Sequence, residues 1–195
     1  MITTEEIKKL RDATGVSVMQ CKRALEEALG DMKKAVLILQ KKSKDIAFKK
    51  SDRTLGAGAV AAYVHGNSNI GAMVELSCET DFVSKNETFK ALAYDIAMHI
   101  AASNPEFLKK EDIPTEAKKS VLELFGKEVL GKPANIKEKI LQGKLDAHFA
   151  DRTLLEQPFI KNPDVTIREL IEGAVQKFGE KIEVARFARF SISGK

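Results

Sequence analysis

Two glycines have the spacing of a phosphate-binding loop, in the segment Gly66-Asn-Ser-Asn-Ile-Gly71. Loops of this kind hold phosphate with backbone N–H groups, and a following Lys and Ser or Thr reach the phosphates and Mg²⁺. Ala72 and Met73 occupy those two positions in this chain. The segment therefore predicts a hairpin turn and argues against a nucleotide site.

The spacing of the other reactive side chains gives no catalytic or metal site. His65, His99 and His148 each lack a second His or Cys three or four positions away, and Cys21 lies far from Cys78. A zinc site needs several such ligands together, and nucleophilic catalysis needs a nucleophile, a base and an orienting acid. We therefore expect a protein that is not an enzyme and uses no cofactor.

The composition and the first residues predict a folded protein of the cytoplasm. Hydrophobic residues make up 44% of the 195 residues and charged residues 31%, which is typical of globular proteins. No apolar run reaches the roughly 18–20 residues that a membrane span needs, and the start MITTEEIKKL is acidic where a secretory signal is basic. Without export, we expect Cys21 and Cys78 to be buried thiols.

The elements that would position a binding site begin with three short helices. Thr3 and Glu6 have capping-box spacing, so the first helix should begin there and end at Thr14-Gly15. The second should end at Gly30, and Asp31 should cap the third. Their apolar positions recur at helical spacing: Cys21, Ala24, Leu25 and Ala28, then Met32, Ala35, Val36 and Leu39. These stripes predict a small bundle over residues 1–43.

A basic segment follows the bundle. Residues 44–55 lose the apolar periodicity and gather positive charge, which predicts a linker with some helical tendency. Residues 1–56 hold 13 Lys and Arg against 8 Asp and Glu. Such a surface could meet nucleic acid or an acidic protein face, and charge alone does not separate the two.

Residues 56–195 alternate between strand and helix patterns. GAVAAYVHG and IGAMVELSC predict a hairpin around residues 67–69. Three helical stretches follow: one opened by Ser84 and Glu87 as a capping box and ended by Asn104-Pro105, one over 114–150 broken at 131–133, and one capped by Thr166 and Glu169 and ended by Gly179. A last strand over 182–192 completes an α+β domain with a three-stranded antiparallel sheet and packed helices.

The last strand contains one aromatic residue that strict alternation places on the wet face. Ile182, Val184, Ala188, Phe190 and Ile192 share one face, and Phe187 lies on the other. Phe187 could serve a contact between two sheets in a dimer, or a β-bulge could turn it inward.

Several segments resemble the elongation factor Ts family, over nearly the whole chain. Leu10-Arg11-Asp-Ala-Thr14-Gly15 and Met19-Gln-Cys21-Lys22-Arg-Ala24-Leu25 resemble its amino-terminal module, a three-helix bundle like the ubiquitin-associated domain. The stretch Val74 to Val83 resembles its most diagnostic motif, with Thr80-Asp81-Phe82-Val83 at the centre. Further similar segments are Tyr63-Val-His65-Gly66, Ala97-Met98-His99-Ile-Ala-Ala102 and Glu156-Gln157-Pro158-Phe159.

The resemblance implies a guanine nucleotide exchange factor for elongation factor Tu in translation elongation. In the family, the aspartate and phenylalanine of the Thr-Asp-Phe-Val motif, here Asp81 and Phe82, press against the GTPase domain near its Mg²⁺ and phosphate site. Tyr63, His65 and Gly66 match residues that contact the carboxy-terminal domain of elongation factor Tu.

The resemblance also places contacts on the bundle and implies an assembly. Arg11 and Met19 match residues that contact the GTPase domain; the family often reads Gly-Ala-Gly-Met-Met where this chain has Gly15-Val-Ser-Val18-Met19. Both motifs lie on one short core, as in compact family members that form homodimers and embrace one GTPase between two subunits. No direct contact with nucleic acid or membrane is implied.

Alternatives remain open from the residues alone, among them a small-molecule enzyme, a purely structural protein and the following two. Phe82 could be an ordinary core residue at a strand-to-helix turn. The basic bundle and linker could belong to a module that binds RNA or an acidic peptide, although Phe48 is the linker's only aromatic residue and no stacking platform is evident.

Overall fold

A computed structural model describes residues 2–66, 68–126 and 134–192 of the chain. The described helices are α1 (Thr4–Thr14), α2 (Val18–Glu27), α3 (Met32–Lys49), α4 (Asp81–Ser84), α5 (Glu87–Ser103), α6 (Thr115–Gly126), α7 (Ala134–Ala150) and α8 (Ile167–Phe178). The described strands are β1 (Ala57–Val64), β2 (Ile70–Cys78), β3 (Pro158–Phe159), β4 (Asn162–Thr166) and β5 (Ile182–Ser191). Short 3₁₀ turns lie at Lys110–Asp112 and Leu154–Glu156. The α+β class predicted from the sequence is confirmed.

The first three helices form the predicted bundle because their ends are fixed by local hydrogen bonds. Thr3 and Glu6 complete a capping box at α1, and Gly15 ends that helix in the left-handed conformation with φ 68°. Ser17 caps α2, and Asp31 caps α3 by accepting from the Lys34 N–H. The stripes meet in a core of buried residues: Leu10, Val16, Cys21, Ala24, Leu25, Ala28, Ala35 and Leu39.

Helix α3 extends beyond the segment predicted as the bundle. It continues through residues 44–49, the first half of the expected linker, and ends at Lys49. Its later turns gain apolar contacts with the rest of the chain, because Ile46 and Ala47 pack against the core of the second part. Ser43, on the same helix, is buried against Gln176 of α8. The linker is therefore helical as far as Lys49, and helix packing joins the bundle to the core.

The main sheet has the strand order β1-β2-β5, with both pairs antiparallel. In the β1–β2 hairpin, Ala57 pairs with Cys78 and Val64 pairs with Gly71. Helices α5 and α8 cover one face of this sheet, which we call the inner face. The buried core there includes Val74, Leu76, Phe89, Ala93, Ile96, Ile100, Ile167, Ala174, Val175, Ile182 and Val184.

A β-bulge in β5 decides the orientation of Phe187. Glu75 pairs with Arg186 and Leu76 pairs with Val184, so Ala185 is an extra residue between them. The extra residue reverses the alternation along the rest of the strand. Phe187 consequently packs against the inner core, whereas Phe190 is 68% exposed. Of the two interpretations of Phe187 offered above, the bulge is confirmed.

The segment between β2 and α5 differs from the sequence prediction. Residues 81–84 form the short helix α4, and Asn86, which accepts from the Thr88 N–H at 2.9 Å, caps α5. The capping box expected at Ser84 and Glu87 was therefore wrong, because the Ser84 hydroxyl bonds back to the Asp81 carbonyl. The predicted helix break at 131–133 and position 67 of the hairpin turn lie outside the described residues.

A buried histidine joins α5 to the segment before α8. His99 is fully buried, and its Nε2 lies 2.9 Å from Oε1 of Gln157. Its Nδ1 lies 3.4 Å from the Ile160 backbone N–H, which donates to it. Burial lowers the pKa of His99 because the charged imidazolium would lose its hydration. Gln157 in turn donates to the carbonyls of Ser103 and Asp151, so His99 holds the β3–β4 region against α5.

Candidate functional site

The Thr80–Val83 segment forms a projecting tip directly after β2. The Phe82 side chain is 81% exposed, whereas its neighbour Val83 is only 3% exposed and belongs to the inner core. Val83 therefore anchors the short helix α4 while Phe82 points into solvent. The alternative that Phe82 is a core residue is wrong, since most of its side chain is exposed to solvent.

The turn between α8 and β5 is hydrogen-bonded to the chain at the start of the tip. The Thr80 hydroxyl donates to Oε1 of Glu180 at 2.6 Å, and the Thr80 backbone N–H donates to Oε2 at 3.0 Å. Glu79 accepts from the Lys181 N–H at 2.5 Å and from Arg53 at 3.2 Å. These contacts lower the pKa of Glu79, chiefly through the Lys181 N–H and then through Arg53. Glu79 and Thr80, the two residues that precede Asp81, are thus hydrogen-bonded to Lys181 and Glu180 of the turn.

Asp81 is exposed on the same tip and forms an ion pair with Lys85. The Lys85 Nζ lies 2.6 Å from the Asp81 carboxylate, one helical turn away. The hydrogen bond and the charge of Lys85 lower the pKa of Asp81, so the carboxylate is ionised at neutral pH. Both side chains are about three-quarters exposed, and water makes such a pair weak enough to exchange for another partner.

Tyr63, His65 and Gly66 lie at the opposite end of the β1–β2 hairpin. The Tyr63 hydroxyl is 3.0 Å from Nδ1 of His65, and the Tyr63 ring packs edge-on against Tyr94 of α5 with centroids 5.8 Å apart. Tyr63 is half-buried, whereas His65 and Gly66 are exposed. The hydrogen bond to Tyr63 orients the imidazole of His65 at the end of the sheet.

The residues predicted on the bundle lie around the α1–α2 corner. Arg11 is exposed on α1, and Val18 and Met19 are 51% and 61% exposed in the first turn of α2. Val16 enters the bundle core and Ser17 caps α2, so the departure from the family's usual sequence still leaves two apolar side chains in solvent. The corner thus exposes two apolar side chains and one basic side chain.

The structure therefore places nine of the ten predicted residues in three separate surfaces. The prediction of Val83 as a contact residue was wrong, because its side chain is buried in the inner core. The Thr80 tip and the Tyr63 surface lie at opposite ends of β2, and the seven residue steps from Gly71 to Cys78 span roughly 24 Å. A cavity of about 890 Å³ between α3 and α8 is lined by none of the ten. Surfaces spread in this way fit a large partner better than a small ligand.

Sequence analysis missed Glu180, which touches the tip from 100 positions away in the chain. No local pattern identifies it, because an acidic residue after a helix-ending glycine is usually solvated. It also missed Lys85, although Asp81 and Lys85 have the i, i+4 spacing of a helical ion pair. The predicted helix began at Ser84, so the spacing of Asp81 and Lys85 was not interpreted as helical.

The outward side of the sheet exposes several large apolar side chains. We call it the outer sheet face; it comprises Val60, Val64, Met73, Phe190 and Ile192, which are between 46% and 79% exposed. In the strand register, Val64 and Phe190 flank Gly71, and an ion pair between Glu75 and Arg186 at 2.7 Å lies toward the other end. An apolar patch with a polar border is typical of a protein contact surface.

Two further observations concern other kinds of site. Across residues 2–66, 68–126 and 134–192, no three His, Cys, Asp or Glu side chains come together as metal ligands. Within the same part of the chain, no helix has the length and hydrophobicity needed to cross a membrane.

Comparisons with known proteins identify the family. The family model described as elongation factor TS matches residues 4–194. An elongation factor Ts of Carboxydothermus hydrogenoformans is 49% identical over 98% of this chain and 89% of its own length. Those of Thermodesulfovibrio yellowstonii and Thermosipho melanesiensis are 47% and 43% identical over 98% of this chain, and 96% and 99% of their own lengths. With the motif Thr80-Asp81-Phe82-Val83 on a projecting tip, these matches show that the chain belongs to the elongation factor Ts family.

Proposed function

We propose that this chain is a guanine nucleotide exchange factor for elongation factor Tu and that it releases GDP by inserting the Asp81–Phe82 tip beside the GTPase's Mg²⁺ and phosphate site. The observation that carries the proposal is the 81% exposure of Phe82 next to the buried anchor Val83. An exposed phenylalanine costs solvation free energy in the free protein. A partner surface that buries it recovers that free energy.

The tip can release GDP because GDP binding depends on the exact placement of charged groups in the nucleotide site of the GTPase. A GTPase holds the phosphates with backbone amides and Mg²⁺, so an aromatic ring and a carboxylate pushed against that cradle disturb it. GDP and the tip then favour different conformations of the GTPase. The coupling is reciprocal, so returning nucleotide weakens the exchange factor's binding by the same factor and one molecule can act repeatedly. Exchange makes and breaks no covalent bond, in keeping with a protein that is not an enzyme.

The two other surfaces supply affinity. Tyr63, His65 and Gly66 contact the carboxy-terminal domain of elongation factor Tu, as the family resemblance implies. Arg11, Val18 and Met19 contact its GTPase domain from the bundle. Binding by several separated surfaces provides the free energy that the tip needs to deform the nucleotide site.

The active form is a homodimer that buries the outer sheet face. Val64, Met73 and Phe190 form an apolar surface on one side of a three-stranded sheet. A second copy of the same sheet covers it about a two-fold axis. Two subunits then present two tips and two Tyr63 surfaces. One subunit contributes the tip and the other contributes the Tyr63 surface to a single GTPase.

The protein acts in the cytoplasm, where translation elongation takes place. The family assignment favours exchange over the alternative of a module that binds RNA or an acidic peptide. No direct contact with nucleic acid and no cofactor is needed for this function.

Release of fluorescent GDP from elongation factor Tu, with catalytic amounts of the chain, tests the proposal. Wild type should accelerate release, and Phe82→Ala should lose most of the acceleration. The matched control is Leu37→Ala, which removes an apolar side chain that is 62% exposed on α3 and should retain full activity. Failure of the folded wild type to accelerate release from its cognate GTPase would rule out the proposed function.

A further inference from the structure

We infer that Glu180 is a positioning residue for the exchange reaction, which sets the direction in which Phe82 is presented; this inference rests on the proposed function of the tip. Glu180 does not belong to the tip. It lies in the turn after Gly179, which ends α8 with φ 74°. Both of its carboxylate oxygens accept hydrogen bonds from Thr80, at 2.6 Å from the hydroxyl and 3.0 Å from the backbone N–H.

The bond from the Thr80 hydroxyl replaces a local one. Thr80 is the N-cap residue of α4, a position where a threonine hydroxyl ordinarily accepts from the backbone of its own helix. Here the side chain makes no such cap bond and donates to Glu180 instead. Thr80, at the start of α4, is thus held by a residue 100 positions away through a bidentate contact with a charged group. Such a contact is both stronger and more directional than a neutral hydrogen bond.

The turn that carries Glu180 is itself fixed. Lys50, which caps the end of α3, donates to the Gly179 carbonyl at 2.7 Å. On the other side of Glu180, the Lys181 N–H donates to Glu79. The turn is therefore held by α3, and it holds the two residues that precede Asp81.

This arrangement explains how a tip exposed to solvent can remain stiff. Val83 is the only buried side chain of the tip, and the Cys78 thiol lies 3.2 Å from the Thr80 carbonyl. The bidentate contact from Glu180 adds a charged fixed point at Thr80, so the Phe82 ring is preorganised and loses less conformational freedom when it enters the GTPase.

Exchange kinetics distinguish positioning from affinity. Glu180→Ala should lower the maximal rate of GDP release, at saturating exchange factor, by roughly three- to tenfold. The concentration that gives half of that rate should stay close to the wild-type value, because the bundle and the Tyr63 surface are intact. Thr80→Val should behave similarly, and Thr80→Ser, which keeps the hydroxyl, should recover much of the rate.

The matched control is Glu183→Ala, which removes the same charge from the same segment but contacts only Lys181 among the ion pairs described. It should leave both kinetic parameters unchanged. The inference would be overturned if Glu180→Ala gave the same rate of GDP release as wild type at every concentration, or differed only in the half-maximal concentration. The proposed function would still hold in that case, provided that Phe82→Ala is defective.

Backbone hydrogen exchange provides a test without the GTPase. In Glu180→Ala, the amides of Thr80 and Ser84, which in wild type donate to Glu180 and to the Thr80 carbonyl, should exchange faster than in wild type, with an unchanged thermal midpoint and unchanged exchange in β2. Equal exchange in the two proteins would overturn the inference even where wild type is active. Inactivity of the wild-type protein would reject the proposed function and, with it, any role for Glu180 in exchange.

Discussion

Ser43 of α3 and Gln176 of α8 are hydrogen-bonded to each other in the buried junction between the bundle and the core. The Ser43 hydroxyl also lies 3.0 Å from the Leu39 carbonyl, and the Gln176 amide donates to Gln20 of α2 at 3.3 Å. Three helices from the two parts of the chain thus meet at one side chain. The relative position of the bundle surface and the Phe82 tip depends on this junction.

Replacing Gln176 by Ala should destabilise the protein by about 1–2 kcal/mol, because buried hydrogen bonds to two other helices are lost together with packing. Urea unfolding at equilibrium measures the change. Gln20→Ala is the control, since it removes only the longer of the two bonds and should cost less than half as much. Equal stability of Gln176→Ala and wild type would contradict a structural role for the junction.

The buried histidine predicts a loss of stability in mild acid. The pKa of His99 in the folded state is lowered below its ordinary value of 6.5 because burial disfavours the charged form. Below pH 6.5 the unfolded chain therefore takes up a proton that the folded chain does not, and the free energy of unfolding falls as the pH falls. Between pH 7.5 and 5.5 this loss should reach up to about 1.4 kcal/mol.

His99→Gln is the variant that tests this, because the Gln amide can still donate toward Gln157. Chemical unfolding of both proteins at several pH values gives the comparison. The variant should be less stable at pH 7.5 but should show a smaller dependence on pH. If the free energy of unfolding depended on pH equally in the two proteins, groups other than His99 would be responsible for the loss of stability in acid.

The ends of several elements could be predicted because their signals lie within a few residues. The capping boxes at Thr3 and Thr166 and the left-handed glycines at 15 and 179 were confirmed for this reason. Each is a contact between neighbours in the chain, so the sequence contains both partners at a fixed spacing.

The sequence predictions failed where contacts with residues distant in the chain override local sequence patterns. Ser84 has capping-box spacing, yet Val83 enters the core and draws residues 81–84 into a separate short helix. The extra residue at Ala185 becomes visible only against the register of β2. The exposure of Phe82 likewise depends on what covers the neighbouring core, whereas its place in the motif was evident from the resemblance.

Both cysteines should be unreactive in the folded protein. Cys21 and Cys78 are fully buried, and burial raises the pKa of each thiol, so little thiolate is present at neutral pH. Native protein should release almost no chromophore from an aromatic disulfide reagent within minutes. In concentrated urea, each protein molecule should release two equivalents at once, because both thiols are then accessible. Rapid release from the native protein would contradict the burial of the thiol concerned, which Cys21→Ser and Cys78→Ser would identify.

The outer sheet face predicts the assembly state. Phe190 and Met73 are exposed in the single chain, and a second copy that covers them would remove much apolar area from water. Wild type should therefore sediment as a dimer, and Phe190→Asp should sediment as a monomer because a buried, unpaired carboxylate cannot be accommodated between two sheets. Leu124→Asp, at a side chain of α6 that is 64% exposed, is the control and should remain dimeric.

In exchange assays, Phe190→Asp should also lose activity at low concentration if the tip and the Tyr63 surface act from different subunits. A wild type that stays monomeric at every concentration would reject the dimer and leave one chain to supply both surfaces.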